Sequence, residues 1–278
     1  MNHENLLFLQ DNLKYLGFGE LGPLNNQLEE SIGSGLAEFQ LYTEACFDEN
    51  TKLEACLHFR RGDKNEMYFF NKYEALLRYA DLPGKDMGYT FYINKGAGIT
   101  FKEAFNLLQG RAVNKDLTNQ EGEKYNAWLQ LQLEEKDGEK AYRLKPYGAR
   151  YGYDIEKVLE KYPIRELQVE ETKKTLIRSL RRGNLQMVTF LKTGKTVKMM
   201  IEANPLYKTI NIHPLTTRQP ARSHKKVNPS EAEQPATVSG PDRDNEGDKE
   251  EEKEVMEETL SLPDPPPMKP SPRKRVYK

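Results

Sequence analysis

Basic residues late in the chain are the side chains whose types and spacing point most directly to chemistry. They fall on a predicted helix and on the hairpin that follows it: Lys173, Lys174, Arg178, Arg181 and Arg182, then Lys192, Lys195 and Lys198. Clustered ammonium and guanidinium groups neutralise phosphates and are the usual footprint of nucleic-acid binding. The plainer alternative is the solvated face of an amphipathic helix. We predict that these eight residues contact a nucleic acid or another partner.

The overall charge limits that prediction. The 278 residues include 42 Lys and Arg against 43 Asp and Glu, which gives a formal net charge of -1. A global positive field that would gather nucleic acid is therefore absent. Any such binding has to rely on a local basic face.

Two stretches interleave aromatic with basic residues, the combination that base stacking with phosphate contact requires. They are Tyr68-Phe69-Phe70-Asn71-Lys72-Tyr73 and Tyr142-Arg143-Leu144-Lys145-Pro146-Tyr147. Either they form an exposed stacking surface or they are buried aromatic faces with solvated basic neighbours.

Two glycine-containing segments partly match phosphate-binding loops. Gly194-Lys195-Thr196 resembles the end of a P-loop, but Thr189 stands where that motif needs a glycine, and strands are predicted on both sides. We interpret it as a hairpin turn. Gly96-Ala97-Gly98 precedes a predicted helix, but Phe101 replaces the third glycine of the dinucleotide fingerprint. We interpret it as a connection, with an anion at the helix start as the lesser alternative.

The sequence contains no motif for catalysis, metal binding or a cofactor. Cys46 and Cys56 are predicted to lie on the same face of adjacent strands, opposite each other if the loop has three residues. We interpret them as reduced thiols, with a redox pair as the lesser alternative, and with His58 they are too few for a structural metal. No Gly-x-Ser-x-Gly elbow occurs. We therefore predict a non-enzymatic protein with no catalytic residues, no metal and no cofactor. A small hydrolase or nuclease is the rival, and it requires carboxylates that converge with His58 in a pocket.

Local patterns predict the helices that position these residues. Apolar residues at helical spacing predict one over about 2–16 and a shorter one over 23–31. Thr100 and Glu103 form a capping box that opens a third. Asp154 caps a fourth, and residues 169–182 form the basic helix.

Strands are predicted from alternation of apolar and polar residues. Residues 39–47 and 53–59 alternate on both sides of a short loop, which predicts an antiparallel hairpin. The dipeptide Asp137-Gly138 predicts a second hairpin, with Leu133 opposite Tyr142.

A near-repeat organises these elements. Residues 24–73 and 169–213 each read as a helix, a glycine break and three strands. We predict an α+β fold with two αβββ-like antiparallel units as an internal pseudo-repeat, an intervening helix and β-hairpin, and a disordered tail.

Composition divides the chain. Eleven of the 16 prolines fall in residues 214–278, where Tyr277 is the single aromatic residue. Such a segment cannot bury enough apolar surface to order itself. We predict an N-terminal α+β unit with a helix-hairpin extension over 1–150, a smaller unit over 151–213, and a disordered tail rich in Pro, Glu and Lys over 214–278.

Several stretches resemble a family of uncharacterised proteins encoded on conjugative and other mobile elements of Bacteroides-type bacteria. The matching strings are Met67-Tyr68-Phe69-Phe70-Asn71; Ala104-Phe105-Asn106-Leu107-Leu108-Gln109-Gly110-Arg111-Ala112-Val113; Leu117-Thr118-Asn119; Glu121-Gly122-Glu123-Lys124-Tyr125; Ala127-Trp128; Ile201-Glu202-Ala203-Asn204-Pro205; and Tyr207-Lys208-Thr209-Ile210-Asn211. The resemblance covers most of residues 1–213. It implies a transferable element as the setting and a domain of unknown function, and it supplies no catalytic residues to carry over.

These observations predict a non-enzymatic binding module of a bacterial mobile element. Its partner is expected to be a protein, and the alternative is a nucleic-acid-binding accessory factor for DNA transfer or maintenance that uses the basic helix. The N-terminus lacks the pattern of a signal peptide, and no stretch has the length of a membrane span. We therefore expect a cytoplasmic protein without a membrane partner.

Overall fold

The computed structural model describes residues 2–19, 22–63, 66–82, 84–93, 98–119, 121–136, 139–192 and 194–215, with the backbone alone at 133–136, 139–141 and 192. Within these residues the chain forms five α-helices and ten strands in three antiparallel sheets. The α+β class predicted from the sequence is confirmed. Apart from residues 214–215, the predicted tail lies outside the described residues, as do Gly96-Ala97 and the turn Asp137-Gly138.

The first sheet is a four-stranded meander with its strands in sequence order. It consists of β1 (Glu38–Ala45), β2 (Thr51–Arg61), β3 (Tyr68–Tyr79) and β4 (Met87–Tyr92). Because side chains alternate between the two faces of a strand, Leu53, Leu57 and Phe59 of β2 all point into the core. The opposite, outer face carries polar side chains between them.

Two helices cover the inner face of this sheet, α1 (His3–Tyr15) and α2 (Gly22–Gly33). α1 buries Leu6, Leu9 and Leu13, which share one side of the helix. The buried amide of Asn5 donates to the Tyr68 carbonyl at 3.0 Å and accepts from the Tyr68 N–H at 2.7 Å. This pair of bonds fastens α1 to the start of β3.

The middle sheet follows α3 (Phe101–Leu108). Its strands are β5 (Val113–Thr118), β6 (Lys124–Lys136) and β7 (Glu139–Gly148). The Thr100–Glu103 capping box and the pairing of Leu133 with Tyr142 occur as predicted. The prediction of a hairpin alone was incomplete, because β5 adds a third strand whose mixed sequence VNKDLT alternates only weakly.

The third sheet packs with α4 (Ile155–Leu159), which Asp154 caps as predicted, and with α5 (Glu170–Arg181). Its strands are β8 (Gln186–Lys192), β9 (Lys195–Asn204) and β10 (Thr209–Pro214), in the order β10-β9-β8. Lys192 pairs with Lys195, so the Gly194-Lys195-Thr196 segment is a hairpin turn and its first strand residues, as predicted. Short 3-10 turns occupy Ala149–Tyr151 and Arg165–Leu167.

The middle sheet contributes side chains to two hydrophobic clusters. Val113, Leu129 and Leu131 pack with α1 to α3 and the first sheet. Trp128 and Tyr147 pack with α4, α5 and the third sheet. All described residues belong to one compact unit, residues 1–226. The boundary at residue 150 stays a prediction.

The internal pseudo-repeat is not confirmed. A helix followed by three antiparallel strands occurs twice, as α2 with β1–β3 and as α5 with β8–β10. The first sheet continues into β4, whereas the third sheet ends with β10 among the described residues. None of the described helices combines the length and apolar character of a membrane-crossing segment.

Candidate functional site

A groove of about 1420 Å³ opens between α5 and the β5–β6 part of the middle sheet. Further segments contribute to its lining: the end of α1 with Tyr15, the loop residue Phe47, the start of α3 with Thr100 and Lys102, and α4 with Glu156. The groove is therefore assembled from segments that are far apart in the sequence.

α5 forms one wall because it is amphipathic. Leu176, Ile177 and Leu180 are buried in the second cluster, while the basic residues lie on the other side of the helix. The helix ends before Gly183, which has φ +78°. A Cβ there would lie 2.8 Å from both the Ala112 carbonyl oxygen and Val113 Cγ2. Only glycine allows the end of α5 to approach the start of β5 this closely.

The buried side-chain amide of Asn106 connects α3 to the end of α5. Asn106 of α3 donates through Nδ2 to the Arg182 carbonyl at 2.7 Å and to Asn184 Oδ1 at 3.0 Å. Its Oδ1 accepts from Arg111 Nη2 at 2.7 Å. Because the amide satisfies three partners at once, it holds the end of α5 against α3 and against Arg111 in the loop that precedes β5.

The structure divides the predicted basic residues into two groups. Lys173, Lys174, Arg178, Arg181 and Arg182 all line the groove. Lys195 and Lys198 are exposed on β9 and do not line it, and the side chain of Lys192 lies outside the described residues. Nearness in the sequence suggested one surface, but Lys195 and Lys198 lie outside the groove.

Sequence reasoning missed three lysines of the groove. Lys102 stands in the first turn of α3, Lys115 on β5 and Lys124 at the start of β6. Each is separated from α5 by many residues, and no local pattern links them to it. Only the packing of the middle sheet beside α5 brings them together.

The groove carries an excess of positive charge. It is lined by eight Lys and Arg residues against four acidic ones, Glu103, Asp116, Glu156 and Glu170. Three of the acids pair with groove cations: Glu103 with Lys115 at 2.9 Å, Glu156 with Arg181 at 3.0 Å, and Glu170 with Lys174 at 3.3 Å. Among the described residues, no acidic side chain pairs with Lys124, Arg178 or Arg182.

Lys102 is the most perturbed of these cations. Its Nζ lies 4.3 Å from the ring centroids of both Phe47 and Phe105. Burial, and then the charge of Arg111, lower the pKa of Lys102 to about 8, and Asp48 opposes the shift. The ammonium group is held by the electron-rich faces of two rings at the edge of the groove.

Exposed aromatic rings and side-chain amides complete the lining. Tyr15 is 67% exposed and Tyr125 is 39% exposed. Beside Tyr125, the Asn126 amide donates to Asn114 Oδ1 at 3.0 Å and to Asp116 Oδ1 at 2.7 Å. In the two aromatic strings for which a stacking surface and a buried face were the alternatives, Tyr68, Tyr73 and Tyr147 are buried. The buried alternative is the correct one for these three residues, because they face the cores.

The outer face of the first sheet bears a second concavity of about 930 Å³. Cys56 lies there opposite Tyr42, so the prediction that it faces Cys46 was wrong: the β1–β2 register pairs Ala45 with Leu53. Burial raises the pKa of the Cys56 thiol, which disfavours the reactive thiolate.

His58 lies on the same outer face, with Nε2 3.1 Å from Glu74. The described part of the chain contains no group of three or more His, Cys, Asp or Glu residues placed to hold a metal ion.

No family model matches this chain, and comparison with curated proteins and with solved structures found no match.

Proposed function

We propose that this protein is a non-enzymatic binding protein whose groove between α5 and the middle sheet holds a nucleic acid. The observation that carries the proposal is the charge of the lining, eight basic residues against four acidic ones, in a chain whose net charge is -1. The positive charge of the groove is therefore local, and it suits a ligand that carries many negative charges.

The size of the groove favours a polymer over a metabolite. At about 1420 Å³ it exceeds the roughly 300–1,000 Å³ of ordinary small-molecule pockets. Its cations are distributed along α5, β5, β6 and α3. A chain with regularly spaced phosphates can contact several of them at once, whereas a single small anion cannot.

The genetic setting that the resemblance implies supports the same proposal. A transferable element, which the family resemblance implies, needs proteins that handle DNA during transfer or maintenance. An accessory factor of this kind requires affinity and positioning, both of which a cationic groove provides.

A protein partner is the second candidate, and the outer face of the first sheet favours it. Tyr42 and Tyr92 are exposed there, around the concavity of about 930 Å³. Exposed aromatic side chains are enriched at protein interfaces. Protein binding at this face is compatible with nucleic acid in the groove.

Charge reversal tests the groove directly. The full chain is titrated against fluorescently labelled DNA, and Arg178→Glu with Arg182→Glu is expected to weaken binding at least tenfold. Both side chains are exposed, so the fold should persist. The matched control is Lys195→Glu with Lys198→Glu, which makes the same charge change on exposed residues outside the groove. Equal losses in both double variants, or no binding by the native protein in about 50 mM salt, would refute the proposal.

A further inference from the structure

We infer that the groove takes a single strand of nucleic acid, and that Tyr15 and Tyr125 are the rings on which its bases stack. This inference rests on the proposed function and goes further, because it names the form of the ligand and the residues that recognise its bases.

The shape of the site separates single strands from duplexes. Proteins that read a duplex commonly insert a projecting helix or β-ribbon into a groove of the DNA. Here the cations line a concavity, and α5 is one of its walls. A cationic concavity can hold a strand but cannot enter the groove of a duplex. This arrangement is typical of single-strand binding.

The two tyrosines lie in this concavity with their rings free. Tyr15 ends α1 and Tyr125 belongs to β6, so they come from different parts of the fold and meet the same groove. Tyr15 is 67% exposed and Tyr125 39% exposed, and within the described part of the chain neither ring packs on another aromatic ring. Unstacked rings among unpaired cations provide the two contacts that a flexible strand needs, one for its bases and one for its phosphates.

Amides next to Tyr125 add hydrogen-bonding capacity. Asn114 and Asn126 bond to each other across β5 and β6, at 2.7 and 3.0 Å, and both are groove residues. Asn126 uses both of its N–H groups on Asn114 and Asp116, which leaves one N–H of Asn114 and a second lone pair on each amide oxygen for the base edges that a single strand leaves open. In a duplex those edges are already paired.

The test compares a labelled oligothymidine of about 15 nucleotides with a duplex of the same length. Tyr15→Leu and Tyr125→Leu, in the full chain, are each expected to weaken oligothymidine binding about tenfold, while Tyr15→Phe and Tyr125→Phe keep most of the affinity. Tyr207→Leu is the matched control, because Tyr207 is 52% exposed but lies in the turn between β9 and β10, outside the groove. The dependence of affinity on salt should stay unchanged in the leucine variants, since their cations remain.

The outcomes separate this inference from the proposed function. Binding that is lost on charge reversal of Arg178 and Arg182 but is unaffected by both leucine variants would overturn the inference and leave the proposed function standing. Duplex binding as tight as oligothymidine binding would overturn it as well. Absence of all nucleic-acid binding at low salt would overturn the proposed function and the inference together.

Discussion

At the scale of single residues, Lys102 makes the positive charge of the groove depend on pH. Its ammonium group lies between Phe47 and Phe105, and its pKa is lowered to about 8, chiefly by burial and then by Arg111. The positive charge is therefore present in the free protein below pH 8 and is lost as the pH rises through 8. Bound phosphate would favour the charged form.

We therefore predict that the contribution of Lys102 to DNA affinity depends on pH. Lys102→Met should weaken DNA binding several-fold at pH 7, where the native lysine is charged. At pH 9 the difference between the native protein and the variant should shrink, because the native lysine is then mostly neutral in the free protein. Titrations of both proteins at the two pH values measure that ratio. A ratio that stays constant would show that Lys102 does not contribute charge to the site.

Gly183 is the residue that sets the approach of α5 to β5. Gly183→Ala is expected to cost about 2–4 kcal/mol of unfolding free energy, from the strain of positive φ and the clash with the Ala112 carbonyl. Gly194→Ala is the control, because φ is also positive there, +73°, but the space around the position is open. Urea denaturation of both variants gives the comparison. Similar losses would show that the close approach carries no cost.

At the scale of elements, the features that could be predicted from the sequence are those that depend on residues close together in the chain. The Thr100–Glu103 capping box, the alternation in β2 and the pairing of Leu133 with Tyr142 all follow from local spacing, and all are found. Strand β5 was missed because Val113 and Leu117 are its only apolar residues, too few for clear alternation. Its place in the sheet comes from pairing with β6, which is tertiary information.

The same limit applies to predicting the residues that line the groove. The basic face of α5 could be read from its helical spacing, whereas Lys102, Lys115 and Lys124 join it only through packing. The lysines of the β8–β9 hairpin were grouped with α5 because they follow it in the chain. The hydrogen bonds by which the Asn106 amide holds the end of α5 in place left no recognisable signal in the sequence.

At the scale of the whole molecule, the middle sheet contributes side chains to both hydrophobic clusters and so links them. Leu129 and Leu131 face the first hydrophobic cluster, and Trp128, on the same strand, faces the second. We expect one cooperative transition, in which Trp128 fluorescence and far-ultraviolet circular dichroism change at the same urea concentration. Two separate transitions would instead support the predicted division near residue 150.

The central claim is that the groove binds nucleic acid through several phosphates, and the salt dependence of affinity tests it most directly. For a single strand the slope of log K against log salt is about -0.7 per phosphate contact. With Lys124, Arg178 and Arg182 available for phosphates, the native full-length protein should give a slope of about -2 or steeper. Arg178→Glu with Arg182→Glu should make it shallower by about 1.4. A slope near zero, or one that the double variant leaves unchanged, would contradict the claim.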